Sequence, residues 1–494
     1  MSRNVRIRMY RQGLGDCFLL SFPRSDGGPA SDFHLLIDCG VITGSDPARL
    51  MAAVQDIFTT TNGHLDLLVG THEHWDHLSG FNQARELFNQ FKVDQVWLAW
   101  TEDPNNDTAQ GLQGDRSARL AALRSAVTRI AQTGITGDLD GIRNVLGFFG
   151  EDAAPAVTGM VGGGSAGAAP AAPGARTTRD AIAYLAARQD ARVHYCYPSK
   201  DGPLALENVD GVRVYVFGPP EDLKQLKMID PTKKGKETYG LMPTEAEQAF
   251  YAAISQAEVV SPYSQVQDLS FPFDSFYQVL PDEAQNPARD DFFRQHYGFG
   301  PDDADEWRRI DNDWLNVTSN LALNLDSDTN NTSLVLAFEL GEPGQGKVLL
   351  FAADAQVGNW LSWEGLSWKI SSSGNAEVNV TAPDLMARTV LYKVGHHGSH
   401  NATLRTDGLE LMVRDDLAAM IPVDHTMAIK KGWNMPFPDL YDRLEQKTRG
   451  RVMRIDTGLP TRQDAATLTD AEWQSFTQAA SQTDLYIEFQ IPLD

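Results

Sequence analysis

The chain has 494 residues, of which 42% are hydrophobic and 22% charged, the composition of an ordinary globular protein able to bury a large core. Its formal net charge of −24 disfavours a protein that grips long nucleic acid, because phosphate contacts need a basic footprint. Three scattered cysteines, Cys17, Cys39 and Cys196, exclude a disulfide framework and fit a reducing cytoplasm.

Met1–Arg8 is basic and lacks the apolar stretch of a secretion signal. Nowhere do about 18 apolar residues run together, so a cytoplasmic chain without a membrane partner is expected. The first hundred residues read as strand-rich. Asp16–Phe22 and His34–Asp38 are short apolar runs bounded by Gly, Pro and Asp, and Pro23–Ser31 between them reads as a hairpin connection. Leu65–Gly70 is a further strand that runs straight into His72. Ser79–Phe91 has Phe81, Ala84, Leu87 and Phe88 on one helical face, and Val93–Trp100 returns to strand.

From Thr101 the pattern turns helical, with Leu120, Leu123, Val127 and Ile130 at helical spacing inside Arg116–Gln132. Gly162–Gly174 is almost all Gly, Ala, Ser and Pro and reads as a linker. Asp180–Gln189 and Thr244–Glu258 read as helices, Val212–Gly218 alternates like a half-buried strand, and Pro281–Trp314 is rich in charge and aromatics. Ser333–Phe338, Lys347–Phe351 and Thr389–Val394 resume the strands. The expectation is one α/β core split into 1–101 and 331–494. Residues 102–330 form a mainly helical insertion, which returns to the core at 205–222.

The chemistry concentrates in His72-Glu73-His74-Trp75-Asp76-His77, three imidazoles and a carboxylate within six residues just past a strand. Neutral imidazole and carboxylate suit zinc and neighbouring borderline metals. A strand-to-helix turn can aim residues 72 and 74 at one ion and 76 and 77 at a second; the competing reading is a solvated His-rich turn. Asp354 sits at the same kind of strand end, where a carboxylate can bridge two ions or, more plainly, cap the helix that follows. His396-His397 follows an apolar strand with glycine on both sides, which lets backbone and ligand approach closely. A His pair taken alone is surface decoration; the shared strand-end position argues for a site.

These segments resemble the metallo-β-lactamase superfamily, and within it the soluble domain of ComEC-type competence proteins. Gly13–Leu20 followed by Leu35–Gly40 is similar to that branch's GQGDA and LIDxG segments, and Thr71–Gly80 matches the superfamily's metal motif. Asn330–Leu336 and Phe351–Ala355 resemble NNxSLVL and TGDA, and Lys393–Ser399 resembles KxxHHGS.

The resemblance implies an αββα sandwich carrying one or two divalent cations, zinc foremost, with manganese or iron as further candidates. It implies His72 and His74 on one metal, Asp76 and His77 on the other, and Asp354 between them. His397 is the preferred ligand of the His pair and His396 a substrate contact or acid, with their exchange left open. Asp38 would orient a metal-bound His. Lys393, Ser399 and Asn331 are further candidates for outer support or substrate contact. Two departures stand out. The superfamily's third His before the bridging Asp is absent, its region offering Asn330 and Asn331, and between His77 and Asp354 only His194 and His296 occur. Asn434–Pro438 stands where the branch has GHPHP, with His425 as a nearby substitute. The implied activity is hydrolysis by metal-activated water, with Asp76 orienting the attack and His396 stabilising the developing charge. The expected substrate is a small or nucleotide-type phosphoester; a lactonase or thioesterase, or a regulatory module with a degenerate site, are the alternatives.

Overall fold

The computed structural model describes residues 3–25, 32–133, 145–150, 176–228, 292, 296, 325–371 and 377–493. The expected linker at 162–174, the Thr244–Glu258 helix and nearly all of Pro281–Trp314 lie outside them. The chain is a mixed α/β protein built on two large mixed sheets.

The first sheet holds β1 (Asn4–Tyr10), β2 (Cys17–Pro23), β3 (Asp32–Cys39), β4 (His64–Gly70), β5 (Lys92–Ala99) and β6 (Arg192–Cys196) side by side in chain order. The second contains β7 (Leu204–Ala205), β8 (Val212–Gly218), β9 (Val335–Leu340) and β10 (Lys347–Phe351). A separate two-stranded ribbon, β11 (Ser367–Ser371) and β12 (Glu377–Thr381), comes next in the chain. β13 (Thr389–Lys393), β14 (Ala418–Ile421) and β15 (Val452–Arg454) complete the second sheet on the far side of β10. The chain then returns to the first sheet through β16 (Ala480–Gln482) and β17 (Tyr486–Pro492), the latter antiparallel to β1 with Asn4 opposite Pro492.

Alternation decides which way each strand faces. Val5, Ile7 and Met9 of β1 turn inward and join Phe18, Val69, Val214, Leu336, Leu349, Leu391 and Met420 in a core shared by both sheets. Arg6 and Arg8 turn outward to Asp32, Asp56 and Glu488. A second core covers the outer face of the first sheet, where Leu36 and Leu68 meet Leu50, Val54 and Ile57 of α1 (Pro47–Thr60) and Leu78 and Phe81 of α2 (Trp75–Gln83). A third, around Trp360, Trp363 and Tyr392, covers the outer face of the second sheet. With both faces buried, β2 and β4 read as continuous apolar runs. The crossover α1 starts cleanly: Asp46 caps it through the Ala48 N–H and Pro47 occupies its first turn.

Several elements differ from their sequence-based expectation. β8 is the strand expected at Val212–Gly218 and returns to the core within 205–222, but the span 102–330 also supplies β6 and β7 beside the helices Asp107–Thr133 and Thr178–Ala186, so it is woven into both sheets. β6 extends the first sheet by parallel pairing with β5, and β8 pairs with β9. The helix expected from Ser79 begins at Trp75 and breaks at Ala84 before Arg85–Phe88. Asp76 and His77 therefore lie in its first turn. Among the described residues no helix is long and apolar enough to cross a membrane.

One topological consequence carries forward. β3 and β4 are parallel, as are β10 and β13, so Asp38, the 71–77 turn, Asp354 and the 395–398 turn all emerge at strand C-terminal ends. Crossover loops leave a crevice at such an edge.

Candidate metal centre

The 71–77 turn is held from behind by the ends of β2 and β3. Asp38, fully buried, accepts from the Thr71 N–H at 2.9 Å and the Thr71 hydroxyl at 2.7 Å, and its Oδ2 lies 2.7 Å from His77 Nδ1. The neighbouring Asp16 N–H donates to the Asp76 carbonyl at 2.9 Å. Two glycines permit this approach. A Cβ on Gly40 would stand 2.3 Å from the Asp76 carbonyl carbon, and one on Gly15 (φ 147°) 2.5 Å from the Asp76 carbonyl oxygen. Only bare backbone fits against α2 here.

The second sheet presents its residues by strained turns. Asp354 N–H donates to the Ser333 hydroxyl at 3.2 Å, and the His396 N–H donates to Asp354 Oδ1 at 3.1 Å. His397 is fixed by an Nδ1 contact of 2.9 Å to the Pro422 carbonyl. Seven non-glycine residues have positive φ among those described, and four of them are here: Asp38 (54°), Ala353 (46°), His396 (43°) and His397 (53°). Left-handed backbone costs free energy that the surrounding packing must offset, and such strain gathers at functional sites.

With the Nδ1 atoms of His77 and His397 turned to Asp38 and Pro422, their Nε2 atoms face inward. His77 Nε2 is 3.0 Å from Asp354 Oδ2, and His397 Nε2 is 2.9 Å from Asp76 Oδ2 and 3.7 Å from Asp354 Oδ2. On the adjoining side His72 Nε2 lies 3.1 Å from His74 Nδ1, while the His72 and His77 rings are 4.2 Å apart. Phe148 and Phe149 flank His74 at 5.3 and 5.1 Å, and Trp433 stacks on Phe148 at 4.9 Å. Asp16, His77, Asp354 and His397 bring potential ligand atoms within 4.8 Å of one another, all buried, and this cluster can hold a metal ion. Asp16 stands behind the imidazoles, its Oδ2 2.5 Å from Lys393 Nζ.

Whether these residues fit a cation can be tested on what they leave unsatisfied. His74 Nε2, Asp76 Oδ1, His77 Nε2 and Asp354 Oδ2 are buried and have no hydrogen-bond partner among the described residues. Native interiors rarely leave such atoms orphaned. Four carboxylates (Asp16, Asp38, Asp76 and Asp354) are buried with a single lysine. Both facts fit a divalent cation, whose ligand atoms stand about 3 to 4 Å apart.

The electrostatics divide the histidines. Burial, with His77 nearby, holds His72 well below the ordinary imidazole range. Burial brings His74 down to about 3 and His396 to about 4, against the pull of Asp76 and Asp354 respectively. These three are neutral and ligand-ready. Burial alone would depress His77 too, but Asp354, Asp16, Asp38 and Asp76 hold it well above 6.5, and Asp354 and Asp76 raise His397 in the same way. Against its burial, Asp354 is kept well below the carboxylate range by His77, His397 and Lys393.

Cation binding therefore competes with protons at His77 and His397, whose hold on them the neighbouring carboxylates strengthen. Proton release at neutral pH, and an apparent affinity that falls as pH is lowered, are the expected results. Calorimetric titration in buffers of different ionisation enthalpy measures both; uptake without proton release would contradict the arrangement. In the cation-free protein the sign reverses. The raised pKa of His77 stabilises the fold fully below 6.5, and the benefit fades as pH rises through the elevated value.

The remaining sequence candidates are placed as follows. Lys393 directs its three N–H donors at the Ala353 carbonyl (2.9 Å), Asp16 (2.5 Å) and Asp354 Oδ1 (3.5 Å), so it braces Asp354 and keeps no donor for an anionic substrate. Asn331 accepts from the Gln356 and Asn359 N–H groups at 3.2 and 3.3 Å and donates to the Met228 carbonyl, which ties down the loop after Asp354. The Ser399 hydroxyl donates to Asn401 at 3.0 Å. His425 is exposed, with Nδ1 2.8 Å from the Met435 carbonyl, and does not replace the missing histidines. His194 sits on the edge strand β6 beside Asp201.

Three participants went unassigned from sequence. Asp16 stood in view, next to Gly15 in the segment before β2. Asp326 faces His74 from the helical residues that end at Asn330. Glu73, inside the motif, is gripped by a buried Arg116, which also reaches Glu102 at 3.3 Å, and so anchors the helix Asp107–Thr133 to the metal turn. Compared with family models, curated proteins and solved structures, the chain matches none.

Proposed function

We propose that this chain is a metal-dependent hydrolase with an αββα sandwich of the metallo-β-lactamase type and an elaborated middle segment, acting as a phosphoesterase. The observation that supports it most is the buried set of inward-facing imidazoles and carboxylates drawn from four strand ends, with its orphaned ligand atoms. His72 and His74 would hold one divalent cation and Asp76, His77 and His397 a second, with Asp354 serving both. Such cations supply Lewis acidity and lower the pKa of water towards neutrality. The protein's own part is positioning. Asp76, whose Oδ1 has no hydrogen-bond partner among the described residues, would orient the attacking water and take its proton. His396, neutral and braced by Asp354 through its backbone, offers an imidazole to the substrate's reacting oxygen.

A second reading, a lactonase or thioesterase, has two observations in its favour. Lys393 is consumed by Asp16 and Asp354, and an aromatic wall of Phe148 and Trp433 stands beside His74. Neither offers a phosphate a fixed positive partner.

A panel of phosphodiester, phosphomonoester, lactone and thioester substrates, run on cation-loaded protein, separates the two. Asp76→Ala is expected to lower the turnover rate of the true substrate by at least about 100-fold, the scale of removing a positioned proton acceptor. Undiminished phosphodiester turnover in that variant would refute the assignment.

A further inference from the structure

The end of β6 builds a second donor cluster that shares no residue with the centre above. β6 is the last strand of the first sheet and pairs with β5 alone, Trp97 lying opposite His194 and Ala99 opposite Cys196. Residues two apart in a strand share a face, so His194 and Cys196 point the same way. Cys196 is fully buried and enters the core between the sheets, while the His194 side chain is 37% exposed. The chain then folds back in a tight turn, where the Lys200 and Asp201 N–H groups donate to the Tyr197 carbonyl at 3.1 and 2.8 Å. The Tyr197 N–H in turn donates to Asp201 Oδ2 at 2.7 Å, and this oxygen stands 3.1 Å from His194 Nε2. His194, Cys196 and Asp201 each offer one ligand atom, and the three atoms lie within 4.8 Å of one another.

The plain alternative is a His–Asp hydrogen bond that staples the turn. The geometry argues against it: His194 Nε2 is buried and has no hydrogen-bond partner among the described residues, although Asp201 Oδ2 is so close. Lys200 does not intervene, since its Nζ lies over the Tyr197 ring at 3.6 Å. A ring nitrogen and a carboxylate oxygen that approach without hydrogen-bond alignment are disposed as neighbours around a third atom. Ligand atoms bound at 2.0–2.3 Å in a tetrahedron stand roughly 3.3–3.7 Å apart, close to this spacing. We propose that His194, Cys196 and Asp201 form a separate site for a borderline cation, Zn²⁺ foremost, with solvent as the fourth ligand. Thiolate and imidazole favour Zn²⁺ over the oxygen-seeking Mn²⁺ and Mg²⁺. The ion clips the 197–201 turn to the open edge of the sheet, whether or not the other centre is loaded.

The test uses the full chain, stripped with chelator and titrated with Co²⁺ as a spectroscopic substitute for Zn²⁺. A cysteine ligand gives an intense near-ultraviolet sulfur-to-cobalt charge-transfer band. The centre around His72–His77 has no cysteine among its candidate ligands, so the band is silent about it. Wild type is expected to develop the band and to lose it when Zn²⁺ is added. Cys196→Ser should show no band, which separates this thiol from Cys17 and Cys39. His194→Ala changes a partly exposed side chain and guards against simple misfolding. It should weaken Co²⁺ binding, read from the same band, beyond the roughly 10–100-fold seen when a residue merely orients a ligand. Asp201→Asn keeps an oxygen for the Tyr197 N–H, and so keeps the turn, yet it should also bind Co²⁺ more weakly. A wild-type chain without the band at saturating Co²⁺ would overturn the proposal. So would a band that survives in Cys196→Ser, a loss in His194→Ala that stays within that 100-fold range, or wild-type affinity in Asp201→Asn.

Discussion

Asp354→Ala is expected to abolish cation binding at both positions and to destabilise the cation-free fold by about 3–5 kcal/mol, the scale of removing one partner from a buried ion pair. The reason lies in how many groups share this carboxylate. Its Oδ1 receives the His396 N–H at 3.1 Å and stands 3.5 Å from Lys393, while Oδ2 is 3.0 Å from His77 Nε2 and 3.7 Å from His397 Nε2. Truncation leaves His77 and His397 without the carboxylate that does most to hold them protonated. It also frees the 395–398 turn, whose left-handed His396 and His397 have Asp354 as a backbone anchor. Both losses fall on the same atoms, so metal content and urea-unfolding free energy should drop together. A variant that keeps its cations, or that unfolds at the wild-type midpoint, would show that Asp354 is an ordinary cap for the turn that follows it.

Much of the site was legible because of one topological regularity. His72–His77, Asp354 and His396–His397 each follow an apolar run, and parallel strands deliver such positions to a common edge however far apart they lie in the chain. Other residues were hidden because their roles depend on neighbours no local pattern announces. Lys393 beside a His pair reads as an anion contact, yet Asp16, contributed from 377 positions earlier, takes up its charge. Asn331 reads equally as outer support or as a substrate contact, and only the fold shows that the N–H groups of Gln356 and Asn359 claim its carbonyl. Asp326 has no motif at all; the helical turn 325–330 alone brings it to His74. The same holds for the fold. β2 to β5 follow from apolar runs, whereas β17 beside β1 closes the sheet across the whole chain length, and β6 is too polar along its exposed edge to stand out inside a helical stretch. Non-local pairing of this kind is set by which edges remain open once the cores are packed.

The same charge arrangement predicts that Lys393→Met will have very different costs with and without cations. In the cation-free protein Lys393 lies against Asp16 and Asp354, with Asp38 also in range, and burial works against its charge. Replacing it with an apolar chain of similar length leaves those carboxylates facing one another, and a loss of about 3–5 kcal/mol is expected. Saturation with Zn²⁺ or Mn²⁺ places more positive charge beside Asp354 than the two displaced imidazole protons supplied, so the penalty should shrink clearly in the loaded protein. Ligand binding to the native state adds its own stabilisation, so wild type and variant must be compared at the same free metal concentration. Unfolding curves of both, stripped and loaded, give the four values needed. An equal penalty in the two states would mean that Lys393 answers to Asp16 and the Ala353 carbonyl alone, and that Asp354 does not share its charge with a bound cation.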